Sequence, residues 1–128
     1  MVLALLAIAW SALKPDPQVE ALNRALQQQG SNLLREYPYR FRAVRLEGET
    51  AVMTTPRSQT VPVFRMISAL YPHLSGRSST SPEFITAQQE LAQVQGEARQ
   101  IVLQQAGVSK VEWELDQSWL IQHNIPLN

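Results

Sequence analysis

The chain contains no cysteine. Disulfides, thiolate metal sites and cysteine nucleophiles are therefore excluded, and redox chemistry is silent about the compartment. A basic excess is also missing: 11 Lys and Arg balance 11 Asp and Glu over 128 residues, and the pI is about 6.7. Proteins that track phosphate backbones usually carry such an excess, so nucleic acid is an unfavoured partner. Histidine occurs only twice, at His73 and His123. No HExxH, no pair of histidines at helical spacing and no acidic calcium loop is present, so no metal is expected. GxGxxG, GxxxxGK[ST] and GxSxG are absent too, which leaves no nucleotide loop and no nucleophile elbow. Ser11 to Lys14 matches SxxK, but the companion motifs of that enzyme class are missing. No nucleophile–base pair can be named, and the chain is read as non-catalytic and without a cofactor.

A long apolar run is lacking as well. Residues 1–13, MVLALLAIAWSAL, contain Ser11 as their single polar residue. A membrane-spanning helix needs about 20 apolar residues, and a secretory signal begins with a basic region that is not found here. Three readings of this segment stay open: a buried core element, a face for a protein partner or a second copy, or a short membrane anchor. Leu3, Leu6 and Trp10 are its candidate interaction residues. A helix apolar on all sides must be covered by something. A cytoplasmic location is favoured, with membrane association as the alternative.

What is present suits one domain with a real core, at 128 residues and 45% hydrophobic content. Charge is unevenly spread. From Arg35 to Arg65 six arginines stand against three glutamates, and from Glu83 to Asp116 six acids stand against Arg99 and Lys110. The expectation is that the two halves face each other, within the fold or across a dimer.

Periodicity and punctuation divide the chain. Asp16-Pro17 opens a helix over 17–36, with Val19, Leu22, Leu26 and Leu33 on one face. Gly30-Ser31 is its weak point. Tyr37-Pro38 ends it, because a residue before proline avoids the α region. Residues 39–54 read as a β-hairpin turning at Glu47-Gly48-Glu49. Alternation there changes parity near Ala43-Val44, which predicts a bulge. Thr60 is expected to cap a helix over 61–71 with Val63, Met66, Ile67, Leu70 and Tyr71 on its apolar face. A Ser-rich loop follows at 73–81.

Ser81-Pro82 starts the best-marked helix, 82–106. Phe84, Ala87, Leu91, Val94, Ala98 and Ile101 alternate at three and four residues, and Gly107 stops it. Residues 109–115 form a strand with Val111, Trp113 and Leu115 on one side and Lys110, Glu112 and Glu114 on the other. Asp116 caps a short last helix. Gly107-Val108 leading into this strand resembles the helix-to-edge-strand turn of small α+β modules such as BON and heavy-metal-associated domains. That resemblance covers nine residues and implies geometry alone, since the metal-binding cysteines of the latter are missing.

The sum is an α+β fold. A small antiparallel sheet of about three strands, hairpin 39–54 plus strand 109–115, packs on helices 17–36, 61–71 and 82–106. Arg40, Arg42 and Arg45 form the second candidate interaction surface. Alternation separates Phe41 from Arg40 and Arg42, so one face does not offer both a stacking ring and phosphate contacts. The arginines are expected to pair with Glu112 and Glu114. The reading reached is a self-associating interaction or assembly module. A membrane-anchored accessory protein using residues 1–13 is the first alternative, and a weak nucleic-acid binder using the arginine hairpin is the second.

Overall fold

A computed structural model of the chain describes residues 16–126. The expectations for Leu3, Leu6, Trp10 and the rest of 1–13 lie outside these residues. Helix α1 spans Pro17–Gln29, with the Asp16 side chain accepting from the Gln18 amide at 2.9 Å. The expected helix 17–36 is in fact two. Gly30 leaves the helical region at φ −69°, ψ 148°, and Ser31 caps a new short helix, α2, Asn32–Glu36. Space explains the glycine there: a Cβ on Gly30 would stand 2.5 Å from the Leu26 carbonyl oxygen and 2.7 Å from Leu34 Cδ2.

Strands β1, Ala43–Glu47, and β2, Thr50–Thr55, form the hairpin. Its turn uses Gly48 at φ 64°, a left-handed conformation that glycine adopts without a Cβ clash. Pairing starts at Ala43 rather than at 39, and the register shifts between Ala43 and Arg45. That shift is the bulge which the parity change predicts: two residues of β1 oppose Val52.

Helix α3, Val63–Leu70, buries Met66, Ile67 and Leu70. Val63 is exposed instead, and no side chain caps the helix. Thr60, the expected cap, turns its hydroxyl and its amide to the Ser58 hydroxyl. After a 3-10 turn at Pro72–Leu74 comes α4, Pro82–Leu103, capped by Ser81. All six of its predicted apolar positions are buried. Strand β3, Lys110–Leu115, and helix α5, Gln117–Gln122, complete the described chain.

The fold is α+β with one three-stranded sheet, in the order β1-β2-β3. The sheet is mixed rather than antiparallel, because β3 runs parallel to β2. Helix α4 is the cause. Its 22 residues span about 33 Å, enough to carry the chain back along the whole sheet before β3 begins. A strand that starts after such a return runs in the same direction as the one before it.

Ala51 and Met53 of β2 point into the helical layer and are fully buried among Phe84, Leu91, Val94 and Ala98. Rings line the same side. Phe41 meets Trp113 edge-on at 6.0 Å, and Tyr39 meets Phe41 at 4.9 Å and Trp119 at 5.6 Å. Edge-to-face pairs of this kind add about 0.5–1.5 kcal/mol each beyond their buried area.

Candidate interaction surface

An α+β sheet of three strands has two edges, and each edge offers a row of backbone N–H and C=O groups that want partners. The two edges of this sheet are treated differently. At β1, the Thr54 amide donates to the Arg42 carbonyl at 3.0 Å. Residue 43 must then turn its own amide and carbonyl away from β2, since antiparallel pairs alternate. Asn23 of α1 meets both. Its Nδ2 donates to the Ala43 carbonyl at 2.9 Å, and its Oδ1 accepts from the Ala43 amide at 2.8 Å. A primary amide matches a peptide group in this way, so one side chain imitates a neighbouring strand. The bulge removes one further outward position. Leu46 is left as the single outward residue of β1 whose backbone no described group meets.

At β3 the Lys110 amide donates to Glu49 and the Asp116 amide to Thr55. Parallel pairing repeats every second residue, so 110, 112, 114 and 116 turn to β2. Val111, Trp113 and Leu115 turn their N–H and C=O groups outward. Among the described residues no hydrogen bond reaches these six groups. The strand carries no buried residue, and its exposure alternates along its length.

Charge on the side of the sheet away from the described helices is partly answered within the molecule. Arg45 reaches over β2, from β1 to Glu114 of β3, at 2.9 Å, and also holds Glu47 at 2.8 Å. Both carboxylates push its guanidinium pKa further above the ordinary value, Glu114 the more strongly. The pair closes over Val52, which is only 3% exposed. Long side chains cover apolar surface with their stems in this way. Lys110 meets Glu112 at 3.3 Å. Two pairs, Arg45–Glu114 and Arg42–Asp116, join the basic and acidic halves of the sequence, while Glu112, expected to meet an arginine, meets the neighbouring Lys110 of its own strand.

The three arginines do not form one surface. Arg42 approaches Asp116 at 3.4 Å. Arg40 lies on another side, at a recess of about 410 Å³ lined also by Leu26, Gln27, Leu34, Arg35, Tyr37 and Phe41. Phe41 is 4% exposed there and packs against the rings of Tyr37, Tyr39 and Trp113, so little of its face is open to a base. Asp116, buried in its turn, accepts from the Tyr39 hydroxyl at 2.8 Å and from the Trp119 amide at 3.1 Å. With Arg42 it therefore has three donors, and its oxygens hold the end of the sheet together. Burial, and then Asp116, push the Tyr39 phenol well above its usual range.

A second polar knot joins the helices. The Tyr71 hydroxyl lies 2.7 Å from Glu90 and 3.3 Å from the Tyr37 hydroxyl. Burial pushes Tyr37 up to about 12. Elsewhere Phe64 stacks on buried Phe84 while 45% exposed, and Ile85 and Ile121 are exposed as well. Among the described residues no group of three or more His, Asp or Glu is placed to hold a metal ion, and no helix is long and apolar enough to cross a membrane.

Sequence reasoning missed Asn23. It lies part-buried at the border of the apolar face of α1, between Val19 and Leu26, 20 residues from the strand it serves, and no local pattern marks its partner. The outward row at 111, 113 and 115 was half legible, through the alternation of the strand and its resemblance to an edge. No protein-family model, no curated protein and no solved structure matches this chain.

Proposed function

We propose that this protein is a non-catalytic interaction module that takes an extended protein segment onto the free edge of β3. The difference between the two edges carries this reading: Asn23 closes β1, while β3 turns out three residues with unmet backbone groups. Strand addition at such an edge draws affinity from main-chain hydrogen bonds and selectivity from alternate side chains. Here the alternate rows are apolar on the helical side, at Val111, Trp113 and Leu115, and charged on the other, where exposed Glu112 and Glu114 follow Lys110 and keep part of their surface open beside Lys110 and Arg45. An added strand with apolar and basic residues in alternation would match both rows.

The test is an NMR titration with a synthetic peptide of alternating lysine and valine. Binding should slow hydrogen exchange at the amides of Val111, Trp113 and Leu115. Those of Glu112 and Glu114, already bonded to β2, should change little. Shifts confined to another surface, or none at millimolar peptide while the chain is dilute enough to be a single copy, would overturn the reading.

A further inference from the structure

We infer that the segment taken by the β3 edge is β3 of a second copy, joined antiparallel across a two-fold axis to make a continuous six-stranded sheet. The inference rests on the strand-addition reading above and names its partner.

Three features of the molecule lead there. The first is closure. Pairing β3 of one copy with β1 of the next would be heterologous, and its repetition would build an open-ended filament. The Asn23 side chain occupies the Ala43 groups that such a contact needs. Among the described residues only β3 is left as a long open edge, and an edge that pairs with itself closes at two copies.

The second is register. The outward residues of β3 are odd-numbered, so hydrogen-bonded pairs across the axis must join odd to odd. Two central registers satisfy this. One sets Trp113 opposite its own copy, and it puts Glu112 opposite Glu114 twice; Lys110 would face Asp116, which is buried and already bonded to Tyr39, Arg42 and Trp119. The other sets Val111 opposite Trp113 twice, with Glu112 at the axis. It puts Lys110 opposite Glu114 on both sides, and its one like-charge pair is Glu112 with its own copy. Each Glu112 already has Lys110 of its own strand at 3.3 Å. Opposite charges directly across a sheet are favourable and like charges are not, so the second register is selected.

The third is the apolar row. Val111, Trp113 and Leu115 are each only partly buried, at the rim of the core. Across the axis Trp113 would lie against Val111 of the other copy, which continues the row from one helical layer into the next. An aromatic ring beside a β-branched side chain is a favourable cross-strand pair.

The experiment combines solution mass with hydrogen exchange, on the full chain, over a concentration series. Mass should move from one copy to two. The Val111, Trp113 and Leu115 amides should gain protection in step with it. A charge exchange then tests the register. Lys110→Glu alone, and Glu114→Lys alone, should each weaken self-association at least tenfold, because each places like charges in both outer pairs. An equimolar mixture of the two variants should restore association as a mixed dimer, because position 110 of one then faces position 114 of the other with opposite sign. Unchanged far-ultraviolet circular dichroism shows that both variants are folded.

Several outcomes overturn the inference. They are a single-copy mass up to millimolar protein, a dimer protected elsewhere, protection at 111, 113 and 115 that ignores concentration, and failure of the mixture to re-associate. Should the chain stay single while the lysine–valine peptide still protects the β3 amides, the partner is wrong and the strand-addition reading stands. Should both fail, the reading falls with it.

Discussion

The two edges of this sheet differ in what finishes them. At β1 a side chain from a neighbouring helix completes the hydrogen bonding, and a bulge shortens the row that needs completing. At β3 a full strand of six residues ends the sheet with nothing beyond it among the described residues. Natural sheets blunt their edges with bulges, charges or covering elements, because an open edge pairs with other chains. One edge here has two such devices. The other has only charge, and that charge suits a partner of matching pattern. The contrast shows that guarding an edge is a local decision. It depends on which helix docks beside the strand.

The largest expected effect tests β3 as a packed strand. Trp113→Glu removes a ring that meets Phe41 edge-on and places a charge against the core. Trp113 is partly buried, so the lost apolar burial is at most about 2–3 kcal/mol, and desolvation of the carboxylate adds to it. Chemical denaturation should show a large drop in the midpoint, and a near-neutral result would contradict the packing of β3.

Next comes the guard of β1. Asn23→Ala leaves the amide and carbonyl of Ala43 without their partners, at a cost of about 1–3 kcal/mol. It also frees the β1 edge. Beyond lost stability, light scattering should report species larger than two copies, since both edges are then open. A variant that is destabilised yet gains no higher-order association would show that Asn23 has a packing role alone.

A smaller effect belongs to the layer beneath both edges. Burial raises Tyr37 from 10.0 to about 12. Its folded value lies above its unfolded one, so the stability it contributes is complete below pH 10 and is lost as pH rises through about 12. Tyr39 and Tyr71 are raised as well, both chiefly by burial. Denaturation midpoints should therefore be level to about pH 10 and decline above it, with phenolate absorbance appearing late and together with unfolding. Phenolate formation at ordinary pH in the folded protein would contradict the buried aromatic layer.

The smallest change should come from the arch over β2. Arg45 is about half exposed, and its two carboxylate partners are similarly exposed. Such exposed pairs contribute little and weaken with salt. Arg45→Ala should lower the denaturation midpoint only slightly, with a smaller difference at high salt. A larger loss would mean that the arginine stem, by covering Val52, matters more than its charge.

Much of this architecture could be read before the structure was seen. Helix α4 was legible in its start and its three-and-four spacing, which are local signals, but it ends at Leu103, three residues short of the expected 106 and before Gly107. Phe84, Leu91 and Val94 are buried where that spacing puts them. The bulge was legible because pleat alternation is strict, and one residue out of phase at Ala43-Val44 demands it. The split at Gly30 was half legible. Glycine marked weakness, but the clash with Leu26 and Leu34 that excludes a side chain arises only once α2 has turned back. The cap of α3 was misread because Ser58 competes for Thr60. Of the candidate interaction residues, Arg42 and Arg45 find acidic partners on or just after β3, while Arg40 turns to a different side.

By itself, then, the sequence determined the local elements. Caps, pleats and helical stripes are set by residues within a few positions of one another, and their physics is complete at that range. Tertiary structure alone decided that β3 runs parallel to β2, that Arg45 arches across Val52 to Glu114, and that Asn23 closes one edge while the other is left open. Each of these joins residues far apart in the chain. Their pairing depends on how long α4 runs before it stops and on where α1 comes to rest, and neither distance is written in any one stretch of residues.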